Sequence, residues 1–309
     1  MSKHVSILLG GTSSERAVSL SSGLGVANAL VEAGYRVSVI DHHGGLRDLI
    51  DALEPRPDAV FNALHGRGGE DGRIQAVLDH LEIPYTHSGV AASALAMNKA
   101  RSKQLFAGLG LHCPEGLLID IRQLALGDPL PRPYIVKPNA EGSSVGVTIL
   151  RAEDNARFDV SGWSYGPEAL VERYIPGREI TVAVMGQGSD ARALGVTEIR
   201  PNGRFYDYTA KYTDDQAIHL VPAPIHADVA EQACAWAVAA HRGLGCRGVS
   251  RADFRYDDTD GEPGQLYLLE VNTQPGMTPL SLVPEQAAAA GMPFPALVSW
   301  MVEAAQWGD

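Results

Sequence analysis

Cysteine is scarce in this chain. Cys113, Cys234 and Cys246 are widely spaced and odd in number, and no CxxC pair occurs. A disulfide framework and a cysteine-based zinc site are therefore excluded, and a reducing compartment is indicated in which the three thiols act as small core residues. Long apolar runs are missing too, since no stretch approaches the roughly 20 residues of a membrane span. Val5–Leu9 is too short for the apolar region of a secretory signal, and it ends in Gly10-Gly11 without a small-residue cleavage pattern. A cytoplasmic protein without a membrane partner is expected. Positive charge is in deficit, with 25 Lys and Arg against 37 Asp and Glu and a net charge of −12. Such a field repels nucleic acid and anionic membranes, so any anionic ligand needs a local basic pocket. Individual lysines and arginines thereby become informative. Neither GxxxxGK[ST] nor GxGxxG occurs, which excludes a Walker A loop and argues against a dinucleotide dehydrogenase.

What remains is a globular chain of 309 residues, 45% hydrophobic and 20% charged, without internal repeats or a low-complexity linker. That length suits two or three domains. The first ~90 residues alternate apolar strands with helices: strands at Val5–Leu9, Arg36–Ile40 and Ala59–Ala63, and a helix over Ala17–Glu32 stopped by Gly34. An open parallel α/β unit follows from that alternation. Its ligand-facing loops, outside the carboxyl ends of the strands, are 10–15 and 64–72. A second unit opens with a helix over Ala91–Leu109 and continues through a strand at Tyr134–Lys137 to a strand at Ala169–Tyr174. Beyond Glu179 come strands at Ile180–Met185 and Ala191–Ile199, a polar loop over 202–216, a helix around Ala227–His241, a hairpin and a helical tail.

The hairpin carries the strongest chemical signal. In Ser250–Phe254 and Leu268–Asn272 the polar residues fall at every second position, so Arg251 and Asp253 share a face of the first strand and Glu270 and Asn272 a face of the second. With Ala252, Phe254, Leu269 and Val271 turned to the core, the other face holds an Arg, two carboxylates and an amide. These groups suit a magnesium–nucleotide site; alternating polar residues equally describe a solvated hairpin face. Lys137 stands at a strand end before the small-residue loop 141–146, where backbone N–H groups can approach phosphate and a lysine supplies charge. A Gly/Ser hairpin with an incidental lysine reads the same way. Glu15 at a helix start fits either a capping residue or a carboxylate that holds an ammonium, and His65 in its Gly-rich loop is equally open. The polar-aromatic loop 202–216 has the length of a lid.

Taken in order, 8–11 with Ser14-Glu15 and Val18-Ser19, 63–66 with 69–72, Lys137-Pro138 with 141–146, Lys211-Tyr212, and 270–273 with 275–278 resemble the D-alanine–D-alanine ligase family of the ATP-grasp superfamily. The segments run through nearly the whole chain; only Leu124–Pro133 and Asp154–Pro167 match poorly. The resemblance implies an α/β protein with the three-domain ATP-grasp fold: an N-terminal open parallel α/β domain (1–87) and two α+β domains (88–175 and 176–309) that grip ATP. It also implies ATP as co-substrate, two Mg2+ ions with Mn2+ as a substitute, D-alanine as substrate and a homodimer. By position, Lys99 and Lys137 correspond to phosphate-contacting lysines, Glu172, Arg173, Tyr174 and Ile175 to the adenine hinge, and Glu179 to the ribose carboxylate. Ser143, Ser144 and Lys211 complete the ATP set. Asp253, Glu270 and Asn272 correspond to the magnesium ligands. Glu15 and His65 match the first D-alanine subsite, and Ser281 and Leu282 the second. Arg251 and the Gly276 backbone match the donors around the reacting carbon, and Ser143 and Tyr212 the contacts that tie the lid to Glu15. Tyr212 also implies an amine rather than a hydroxy-acid acceptor. Loss of catalysis in a nucleotide-binding module would be expected to remove some of Lys99, Lys137, Arg251, Asp253, Glu270 and Asn272, and all six are present.

Overall fold

The structure is a computed structural model that describes residues 2–143, 145–154, 157–201 and 217–308. The expected positions Ser144, Lys211 and Tyr212, and the loop 202–216, lie outside the described residues.

Strands β1 (His4–Gly10), β2 (Arg36–His42) and β3 (Ala59–Asn62) form a parallel sheet in the order β2-β1-β3. Every residue of β1 is buried, as a strand covered on both faces requires, and this explains its unbroken apolar run. Helix α1 (Arg16–Glu32) lies so close that a Cβ at Gly23 would stand 2.7 Å from the Leu9 side chain. Glycine at this point fixes the depth at which α1 seats on the sheet. Helices α2 (Leu46–Ala52) and α3 (Arg73–His80) complete the unit; each is only two turns long, too short for a clear periodic signal in sequence.

The expected helix 91–109 is two helices, α4 (Val90–Met97) and α5 (Lys99–Gly108). Asn98 breaks it: its backbone is extended at φ −89° and ψ 92°, and its side chain accepts from the Arg101 N–H. An internal N-cap of this kind satisfies one orphan donor of the new helix and redirects the chain. Lys99 becomes the first residue of α5.

Strands β4 (Gly116–Asp120), β5 (Tyr134–Lys137), β6 (Thr148–Leu150) and β7 (Glu168–Arg173) form an antiparallel sheet in the order β4-β7-β5-β6. A second antiparallel sheet runs β10-β9-β8-β11-β12, from β8 (Arg178–Met185), β9 (Arg192–Pro201), β10 (Ala217–Leu220), β11 (Val249–Asp257) and β12 (Gln265–Asn272). Helix α6 (Ala227–Leu244), ended by Gly245 at φ 75°, covers this sheet together with α4 and α5. Ala92, Ala96 and Phe106 thus share a core with Val182, Ala237 and Phe254. Helices α7 (Leu282–Ala289) and α8 (Phe294–Glu303) turn back, and Val283, Leu297 and Val298 join Val5, Leu30 and Phe61 in the core of the first unit. Both termini of the described chain therefore feed one core.

The hairpin needs one correction. Ala252, Phe254 and Val271 are buried as expected, but Leu269 is not turned to the core and Leu268 takes that place. The pairing shifts from Asp253↔Glu270 to Phe254↔Leu268. Leu269 is the extra residue of a β-bulge, which inverts the alternation along the rest of β12.

Candidate active site

The hairpin register places Arg251 opposite Asn272 and Asp253 opposite Glu270. Arg251 grips Asp253 with a two-point fork, Nε to Oδ1 at 2.8 Å and Nη2 to Oδ2 at 2.7 Å, while the Thr181 hydroxyl donates to the same Oδ1 at 2.7 Å. Such a fork fixes the guanidinium plane. The Lys99 ammonium stands 3.1 Å from Glu270 Oε2 and donates to the Glu141 carbonyl at 2.6 Å. Asn272 Oδ1 accepts from the Gln274 N–H at 2.7 Å and so turns the chain toward Gly276.

Loops from the first unit close the same space. Glu15 occupies the N-cap position of α1, but its side chain makes no capping bond there; it accepts from the Ser143 hydroxyl instead. The capping alternative therefore falls. A Cβ at Gly66 would stand 2.8 Å from the Glu15 carboxylate and one at Gly142 3.0 Å, which is the physical need for small residues in both loops. The His65 ring lies 3.3 Å from Glu70 Oε1 and 3.4 Å from the Ser22 hydroxyl. The Glu70 contact is made by the buried Nδ1 and the Ser22 contact by Nε2, so the ring is held from both sides. Buried amides tie the loops together: Asn62 Nδ2 donates to Gln274 Oε1 at 2.8 Å, and Ser22 accepts from the Met277 N–H at 3.1 Å.

Two adjoining chambers result. The first is lined by Glu15, His65, Ser143, Arg251, Asn272, Gly276, Ser281 and Leu282. Lys137, Glu172, Arg173, Tyr174, Ile175 and the bulged Leu269 line the second. Lys99, Glu141, Glu179, Asp253 and Glu270 border both. All the described residues singled out from sequence thus meet in one continuous cleft, with carboxylates and cations at its waist.

Electrostatics are strongest in the second chamber. Glu172 is buried between the Lys103 and Lys137 ammonium groups, the latter 2.6 Å from Oε2. Burial alone would raise this carboxyl, yet Lys137 and Lys103 together hold it below the usual carboxylate range. Burial likewise opposes charge on Lys137, and Glu172 with Glu270 outweighs it, so the ammonium is raised. Sequence reasoning gave Lys103, Thr181 and Gln274 no role. Lys103 carried a signal, since it stands one helical turn after Lys99 and shares its face.

As a metal site the waist fits a hard cation. Asp253 and Glu270 at the waist and Asn272 beside it present two carboxylates and an amide oxygen, a donor set of the hard-oxygen kind that magnesium favours. Among the described residues no three His, Cys, Asp or Glu side chains group as an ion site of their own. No helix among them is long and apolar enough to cross a membrane.

Across 304 residues the chain is 58% identical to the D-alanine–D-alanine ligase of Granulibacter bethesdensis, covering 98% of each chain. It is 57% identical to that of Acidiphilium cryptum, covering 97% of this chain and 98% of the relative. The chain belongs to the D-alanine–D-alanine ligase family. The family model described as "D-ala D-ala ligase C-terminus" matches residues 123–303, which includes Lys137, Glu172 and the whole hairpin. A solved structure of the Bacillus anthracis D-alanine–D-alanine ligase, complexed with ATP, superposes with a TM-score of 0.79 at 30% identity, covering 98% of this chain and 97% of that one. The architecture is the ATP-grasp fold of the D-alanine–D-alanine ligases.

Proposed function

We propose that this chain condenses two D-alanine molecules into D-alanyl-D-alanine, using ATP and releasing ADP and phosphate, as a step in peptidoglycan precursor synthesis. The observation that carries the reading is the cleft waist, where Lys99, Asp253 and Glu270 border both chambers. A nucleotide in the second chamber and an amino acid in the first meet there.

A carboxylate is a poor electrophile at neutral pH, so the first D-alanine attacks the γ-phosphorus of ATP through a carboxylate oxygen and ADP leaves. Lys99 and Lys137 offset charge on the transferring group, chiefly a positioning and electrostatic task. Asp253, Glu270 and Asn272 would hold magnesium, which would supply positive charge to offset that of the phosphates. The amine of the second D-alanine then attacks the acylphosphate carbonyl. Arg251, held in plane by Asp253, and the Gly276 N–H stabilise the resulting oxyanion, which collapses with expulsion of phosphate. Glu15 receives the first ammonium with His65 beside it, and Ser281 and Leu282 form the second subsite. Glu172 to Ile175 hold adenine and Glu179 the ribose. Family resemblance assigns Ser143, Ser144 and Lys211 to ATP as well, and Ser143 and Tyr212 to the catalytic set.

The proposal extends to a cytoplasmic homodimer, with the unpaired state of all three cysteines supporting a reducing compartment. It divides the chain into 1–87, 88–175 and 176–309, a division supported by one sheet in each segment.

Incubation with ATP, magnesium and D-alanine should yield ADP, phosphate and D-alanyl-D-alanine in equal amounts, with L-alanine inert. Release of AMP and pyrophosphate would overturn the acylphosphate route.

A further inference from the structure

Lys103 does not line the nucleotide chamber, yet it is 9% exposed and its ammonium rests on one oxygen of the fully buried Glu172. Lys137, which does line that chamber, rests on the other oxygen at 2.6 Å. One carboxylate thus faces two ammonium groups; burial pulls the Lys103 pKa down while Glu172 opposes that shift. Without Lys103, Glu172 and Lys137 would form a closed neutral pair. Opposite charges at that separation in a buried site bind each other strongly, and such a pair has little charge to offer a polyphosphate.

We infer that Lys103 is a positioning residue for nucleotide binding: by occupying Glu172, it leaves Lys137 as the surplus cation that can turn its charge toward ATP phosphates. Placement supports the division of labour. Lys103 sits one turn along α5 from Lys99, so the Asn98 break that presents Lys99 to the cleft waist also aims Lys103 beneath β5 and β7. Lys137 lies at the end of β5, with Glu172 on the adjacent strand β7. Glu270 also favours the charged form of Lys137, and Glu270 borders both chambers.

The inference rests on reading the second chamber as a nucleotide site, and the test separates the two. Dissociation constants for ATP and for adenosine, which has no phosphate, are measured by calorimetry on the wild type, K103M, K103R, E172Q and K103M/E172Q. In K103M, ATP should bind about tenfold more weakly while adenosine is unchanged, and K103R should keep the wild-type ratio. With the carboxylate removed, Lys103 has nothing to neutralise, so E172Q and K103M/E172Q should bind ATP equally. That last comparison stands even if K103M fails to fold. Equal weakening of ATP and adenosine in K103M would make Lys103 a pocket-shaping residue and overturn the inference. So would an ATP loss from K103M that is as large in the E172Q background as in the wild type. A wild type that binds no ATP would overturn the nucleotide reading itself.

Discussion

Glu270 faces Asp253 across the hairpin and Lys99 across the cleft, so one carboxylate serves the proposed cation and orders a lysine. Glu270→Gln keeps the shape and removes the charge; turnover should fall about a hundredfold, with an increased magnesium requirement and an unchanged melting temperature. Full activity at limiting magnesium would contradict the assignment. Two buried histidines outside the cleft lining set a different sensitivity. His241 Nδ1 accepts from the Ser250 hydroxyl at 2.7 Å while Nε2 donates to the Gly186 carbonyl at 3.2 Å, and burial pushes its pKa down to about 4. Burial, with His65 nearby, pushes His87 down to about 3. For each, the unfolded ring takes up a proton near pH 6.5 and the folded ring does not. Their contribution is therefore intact above pH 6.5 and is lost as pH falls toward 4 and 3, at up to about 1.4 kcal/mol per pH unit each. Urea unfolding at pH 7.5 and 5.0 should show lower stability in acid, and His241→Gln should reduce that slope. An unchanged slope in the variant would show that His241 is not a source.

At the scale of elements, the bulge in β12 decides which leucine is core and which is wall. Leu268 is fully buried, whereas Leu269 borders the second chamber, the proposed nucleotide site. Leu268→Ala should cost about 3 kcal/mol of unfolding free energy through the cavity it leaves. Leu269→Ala should cost less than about 1 kcal/mol and instead raise the KM for ATP several-fold, with the KM for D-alanine unaffected. Unfolding curves and initial rates on the two variants check the pair, and equal stability losses would place both leucines in the core. The Asn98 cap works at the same scale, because it starts α5 at Lys99 and sets the phase of both Lys99 and Lys103.

For the whole molecule, Arg247 is the clamp between the chain's end and its first unit. Buried to 4% exposure, it donates to the carbonyls of His87 at 3.1 Å and Gln306 at 2.9 Å, reaches that of Gly308, and lies 4.8 Å over the Tyr85 ring. Burial raises the Tyr85 hydroxyl beyond its usual range, so the ring under the guanidinium stays neutral. Arg247→Ala leaves several buried carbonyls unpaired and should destabilise by about 3 kcal/mol, read as a lower urea midpoint. The released tail should become the first site of limited proteolysis. A midpoint within experimental error of the wild type would show that the α8 core alone holds the tail.

Much of this was already written in the sequence. The apolar run of β1, the positions of the paired strands and the polar alternation of Arg251, Asp253, Glu270 and Asn272 follow from local periodicity, which burial on one or both faces imposes directly. The small residues at Gly66 and Gly142 were visible too, although the carboxylate they make room for was not. What local pattern cannot carry is the side on which an element finds its partner. That α4 and α5 pack on the third sheet, that α8 closes the first core, and that Glu15 meets Ser143 across 128 positions of sequence depend on contacts whose two halves each look ordinary alone. The break at Asn98 and the bulge at Leu269 are of the same kind. Each needs a distant partner to settle a choice that the chain's own propensities leave balanced.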